Sequence, residues 1–137
     1  MSLLIVGTVA FDGIETPRGK VDKILGGSAT YISIISSYFN TSTNLISVVG
    51  GDFPKKYIEL FEKYGINCQG LEIKKNEKTF YWSGRYHENM KSRDTIVTEL
   101  NVLEKFDPKI PEPFQDCKHL MLALSLIHIS EPTRQLC

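Results

Sequence analysis

Apolar residues run without a break from Leu3 to Val6 and return at Val9, bounded by Gly7 and a polar turn; this is the pattern of a strand covered on both faces. Such strands belong to α/β sheets. Behind the turn-forming Thr16-Pro17-Arg18-Gly19, Lys20 to Leu25 mixes charge with Val21, Ile24 and Leu25, which predicts a short, half-exposed strand. From Ser28 to Phe39, Ala29, Ile32, Ile35 and Phe39 recur at helical spacing, and Tyr31, Ile34 and Tyr38 leave few polar positions. That helix is expected to be largely buried. Asn44 to Val49 reads as a second buried strand, closed by Gly50-Gly51-Asp52. Pro54 then marks a helix start, with Tyr57, Ile58, Leu60, Phe61 and Tyr64 on one stripe, charged residues opposite, and Gly65 at the end. Asp52 is expected to cap this helix.

The pattern changes further on. Thr79 to His87 alternates Thr79, Tyr81, Ser83, Arg85 and His87 with Phe80, Trp82, Gly84 and Tyr86, which predicts a strand with two unlike faces. A polar link, Glu88 to Asp94, leads to a second alternating run, Thr95 to Leu100, so the two predict an antiparallel hairpin beside the main sheet. Asp107, Pro108, Pro111 and Pro113 mark a loop, and His119 to Leu124 returns to the buried-strand pattern. The expected architecture is an α/β sheet with flanking helices and a small accessory β-sheet.

Composition narrows the partners. The 137 residues carry sixteen Lys plus Arg against sixteen Asp plus Glu, so no net field draws the chain to nucleic acid or to an anionic membrane. A neutral small molecule fits better. Cys68, Cys117 and Cys137 are scattered, without metal-ligand spacing, and predict neither a disulfide framework nor a zinc site. The opening apolar run is too short for a signal-peptide core, and no segment reaches membrane-spanning length, so the expected location is the cytoplasm.

The candidate chemistry gathers near the N-terminus. Two glycines, Gly26 and Gly27, open the first helix, where backbone N–H groups are unpaired and no Cβ blocks a ligand. Asp12 lies past the end of the first strand, where open α/β sheets place their ligand crevice, and one carboxylate there accepts two hydroxyls. Each feature alone also fits a plain turn.

In combination they resemble the PfkB family of carbohydrate kinases, with its ribokinase-like fold. The resemblance rests on Leu3-Leu4-Ile5-Val6-Gly7-Thr8-Val9-Ala10-Phe11-Asp12, then Gly26-Gly27-Ser28-Ala29-Thr30-Tyr31, then Val48-Val49-Gly50-Gly51-Asp52, in the family's order. It covers residues 1–123 and implies a Rossmann-type sheet flanked by helices, with an antiparallel β lid at about residues 15–25 and 70–100. It further implies that Asp12, Gly26 and Gly27 hold the hydroxyls of a sugar or nucleoside. Tyr31 stands where the family commonly has a substrate-contacting asparagine, and Ala10 where it often has a polar residue; both leave the substrate open. Tyr31 either meets the substrate or packs as a core aromatic. On the lid, Trp82 and Arg85 are candidates to close over the sugar, but they lie on opposite strand faces, so at most one is expected to face the site.

The family's phosphoryl transfer uses ATP and Mg²⁺, with the base in a C-terminal Gly-Ala-Gly-Asp turn. This sequence has no such turn, no Walker loop and no Gly-x-Gly-x-x-Gly fingerprint. The C-terminal half is therefore expected to be absent, no catalytic or metal-binding residue is assigned, and the chain alone is expected to bind no cofactor and to be inactive. Residues 124–137 are expected to be a non-native, poorly ordered tail, since Ser125 to Gln135 reads as translated adapter DNA; the alternative is that Leu124, Leu126, Ile127 and Ile129 extend the last strand. The competing functional reading is a non-catalytic sugar-binding module, or one that forms a homodimer through the apolar Phe80, Trp82 and Tyr86 face of its lid.

Overall fold

The apolar run at the N-terminus forms the first strand of a parallel sheet, and its two faces are covered by different segments. The computed structural model describes residues 2–39 and 41–123. In chain order the strands are β1 (Ser2–Val6), β2 (Ala10–Thr16), β3 (Gly19–Gly26), β4 (Ser42–Gly50), β5 (Asn67–Lys74), β6 (Tyr81–Tyr86), β7 (Arg93–Glu99) and β8 (His119–Leu122). The helices are α1 (Ser28–Ser37) and α2 (Lys55–Lys63), with 3₁₀ turns at Asn101–Lys105 and Glu112–Phe114. The tail from residue 124 onward, including both readings of it given above, lies outside the described residues.

The main sheet has the order β5-β4-β1-β8 and is parallel throughout. On one face Ile5, Leu45, Val49 and Leu71 pack with Ala29 of α1 and with Phe53 and Phe61 at α2. On the other, Leu4, Val6, Ile46 and Val48 meet Val102, Leu103, Phe106 and Phe114 of the 3₁₀ segments. A strand apolar at every position is the consequence of cover on both sides.

The second sheet has the order β3-β2-β6-β7. It consists of two antiparallel hairpins, β2–β3 and β6–β7, whose inner strands β2 and β6 pair parallel. A further tie spans the sheet, because the Tyr81 hydroxyl donates to Asp22 Oδ1 at 2.6 Å and joins β3 to β6. The Tyr81 bond, helped by nearby lysines, holds the Asp22 carboxyl below its ordinary range.

Several expectations change here. Asp12 lies within β2, not in a loop, and the strands of the second sheet run over residues 10–26 and 81–99; residues 67–74, expected in the lid, pair with β4 and belong to the main sheet. The first helix is not largely buried. It meets the sheet through the small side chains Ala29, Thr30 and Ser33, which permit close approach, and leaves Tyr31, Ile35, Tyr38 and Phe39 exposed at 55%, 59%, 69% and 72%. Strand β8 likewise exposes Leu120 and Met121, since it forms one margin of the described sheet.

Asp52 does not cap α2, whose N-cap is Pro54 with no side-chain hydrogen bond. Its Oδ1 instead accepts from the Thr79 N–H at 2.8 Å and from the Thr79 hydroxyl at 2.7 Å. The Thr79 oxygen in turn accepts from the Gly50 N–H at 3.0 Å, and the Asn101 side-chain amide donates to the Thr79 carbonyl at 3.0 Å. A fully buried threonine thus fastens the end of β4 to the segment that enters β6, where the main sheet hands over to the second sheet.

Candidate functional site

Strand β2 starts four residues after β1 ends, so the chain crosses from the main sheet to the second sheet at its C-terminal edge. Asp12 is the third residue of β2. The register pairs Ala10 with Gly26 and Asp12 with Ile24, which sets the Asp12 side chain diagonally against Gly26 on the same face. A Cβ at Gly26 would collide with Asp12 Oδ2. Gly27 follows at φ +96°, where its backbone passes so close to the Thr8 carbonyl that any side chain would overlap it. Close approach to backbone and a positive φ thus require glycine at residue 27, whereas at residue 26 a side chain would displace the Asp12 carboxylate.

The helix N-terminus is less open than the glycines suggest, because the Ala29 N–H donates to the Thr8 carbonyl at 3.0 Å. Thr30 Oγ1 donates to the Gly26 carbonyl at 2.7 Å, which locks the turn from within. The Asp12 carboxylate is half-buried, and among the described residues no donor reaches it. Burial pushes its pKa up from the ordinary value. An acceptor-only group with spare lone pairs faces the space beside it.

That space is a cavity of about 460 Å³ between the start of α1 and the second sheet. Thr8, Ala10, Asp12, Gly27 and Tyr31 line it from the β1–β2 and α1 side; Trp82 and Tyr86 line it from β6, Phe80 from the residue just before that strand, and Arg93 and Thr98 from β7. Trp82 lies against Gly84, where a Cβ would overlap its six-membered ring, and its Nε1 donates to Thr95 Oγ1 at 3.3 Å. The Arg93 guanidinium sits 5.6 Å from the Trp82 ring centre. Arg85 is on the opposite face of β6, paired with Glu15 at 3.2 Å, and does not line the cavity.

Of the residues singled out from sequence, the structure brings Asp12, Gly27, Tyr31 and Trp82 to one cavity, with Gly26 beneath Asp12. Tyr86, Arg93 and Thr98 were missed. Arg93 stands in what reads as a polar link, and only the hairpin register, which pairs it with Tyr86, turns it toward the site. A second cavity, of about 470 Å³, is lined by Glu72 and Lys74 of β5 with Lys105, Asp107 and Lys109. It shares no residue with the first.

Among solved structures, the ribokinase from Cryptococcus neoformans var. grubii in complex with ADP superposes with a TM-score of 0.69 at 18% identity, over 88% of this chain and 40% of that one. The fold is ribokinase-like. The Burkholderia thailandensis nucleoside kinase in complex with inosine gives a TM-score of 0.62 at 14% identity, over 74% of this chain and 37% of that one. Among curated proteins, a cytidine kinase of Thermococcus kodakarensis is 28% identical over 119 residues, 86% of this chain and 41% of that protein. A nucleoside kinase of Methanothermobacter thermautotrophicus is 33% identical over 89 residues, 56% of this chain and 29% of that protein. No family model matches. The ribokinase-like chain thus spans well under half the length of these curated relatives and corresponds to their N-terminal part, as the resemblance to PfkB kinases implied.

Proposed function

We propose that this chain is the acceptor-holding part of an ATP-dependent kinase that phosphorylates a hydroxyl of a sugar or nucleoside. The observation that carries the proposal is the half-buried Asp12 carboxylate, seated over Gly26 with no donor among the described residues and facing a cavity walled by aromatic side chains. Two hydroxyls of a ribose-like ring satisfy such a carboxylate, and apolar sugar faces lie well against Trp82. Relatives named as cytidine and nucleoside kinases support the same class of acceptor.

The role assigned to these residues is positioning. Asp12 fixes the acceptor by its hydroxyls, Gly26 leaves the space in which the Asp12 carboxylate sits, Gly27 lets the chain pass close to the Thr8 carbonyl, and the second sheet covers the acceptor. Holding an acceptor in one pose removes part of the entropic barrier to transfer. Among the described residues no three His, Cys, Asp or Glu side chains gather as a metal-holding group. In the proposal Mg²⁺ and ATP belong to the C-terminal half implied by the resemblance, and the chain alone binds the acceptor without phosphorylating it. In the proposal residues 1–123 form the kinase part and the protein works in the cytoplasm.

The test is a phosphotransfer assay on the complete product of the native gene, with ATP, Mg²⁺ and a panel of pentoses, hexoses and nucleosides. Phosphorylation of at least one acceptor is expected; a complete protein that transfers phosphate to none of them, and carries no Gly-x-Gly-Asp turn downstream, contradicts the proposal.

A further inference from the structure

We propose that Trp82 and Arg93 form a platform for a flat heterocyclic ring, so that the acceptor is a nucleoside and not a bare sugar. The proposal rests on the reading of Asp12 as the group that holds the acceptor hydroxyls.

Asp12 and the Trp82–Arg93 pair line one cavity, whose volume of about 460 Å³ exceeds what a single pentose fills. Trp82 is fixed rather than free. Its ring occupies the space over Gly84 that any side chain there would need, and its indole N–H is tied to Thr95. The Arg93 guanidinium carbon lies 5.6 Å from the centre of that ring, within cation–π range, so the cation and the indole are neighbours in the cavity wall. A sugar has no use for such a surface beyond one apolar face. A nucleobase uses all of it, since its π-face stacks on indole or guanidinium and its carbonyl and ring-nitrogen acceptors match an N–H fork that only donates.

The placement also fits the two ends of a nucleoside. Asp12 takes the hydroxylated end, being acceptor-only, and Arg93 takes the acceptor-bearing end, being donor-only. Cross-strand pairing puts Asp12 and Trp82 side by side on β2 and β6, so the two recognition groups are adjacent on one face of the second sheet. Tyr31 completes the lining from α1.

The complete product of the native gene is titrated with cytidine and with D-ribose by calorimetry. Cytidine is expected to bind about tenfold or more tighter than ribose. Arg93→Ala, at an exposed position that does not support the core, is expected to lower cytidine affinity about tenfold and to leave ribose affinity unchanged. Arg93→Lys keeps the charge but loses the plane and is expected to fall between. Equal losses for both ligands in Arg93→Ala, or no loss for cytidine, overturn the platform. Ribose binding that depends on Asp12, with cytidine no tighter, also overturns it while the acceptor reading stands; binding of neither ligand overturns both.

Discussion

The Asp12 carboxylate occupies the space that a side chain at residue 26 would need, so the two residues form a single feature although they stand on different strands. Gly26→Ala is expected to push the carboxylate out of its seat and to weaken acceptor binding about as much as Asp12→Ala does. The double variant should then lose little more than either single one. This non-additivity, measured in a binding cycle, separates a shared seat from two independent contacts; fully additive losses speak against the shared seat.

Burial with no donor among the described residues makes the charged Asp12 a cost to folding. Its folded pKa lies above the unfolded one, so the folded state holds the proton longer as pH rises. Stability linked to this group is therefore highest below the unfolded pKa, falls as pH rises through the window between the two values, and stays reduced above it. Asp12→Asn is expected to raise Tm at pH 7, with the gain over wild type shrinking toward zero below pH 4. Acceptor affinity should run the other way, falling as acid protonates the carboxylate. Thermal unfolding and binding at several pH values check both signs; a wild-type protein that is the more stable of the two at pH 7 contradicts the account.

Thr79 is the fastening between the sheets. Thr79→Val keeps the volume but leaves the Gly50 N–H without the hydroxyl oxygen and Asp52 with one donor fewer. The expected loss is about 1–3 kcal/mol in denaturant unfolding, the usual cost of a buried polar group left unsatisfied. An unchanged midpoint would show that water replaces the hydroxyl at no cost.

The main sheet was legible because its strands are apolar at nearly every position, a pattern that survives without knowledge of neighbours. Strand β2 was not, since Asp12, Gly13 and Glu15 are poor strand formers and the strand exists only because β3 and β6 pair on either side of it. Helix α1 misled for a different reason. Its large apolar side chains spread over more than half of its circumference and point away from the sheet in part, while the small residues Ala29, Thr30 and Ser33 are the ones buried, so hydrophobicity marks the wrong side. Asp52 and Arg93 act on partners fixed by tertiary register, one 27 residues ahead and one across a hairpin, and no local pattern marks either. Asp12 and the two glycines were legible as a set, because their order and spacing carry the family resemblance even where the local structure around them was misread.

The central claim is that Asp12 holds the acceptor. Its most direct test is calorimetry on the complete protein and its Asp12→Ala variant, with the preferred acceptor and with ATP as separate ligands. Loss of charge-assisted hydrogen bonds predicts about ten- to hundredfold weaker acceptor binding, with ATP affinity changed by less than about twofold. Acceptor affinity equal to wild type would remove Asp12 from the site and contradict the account.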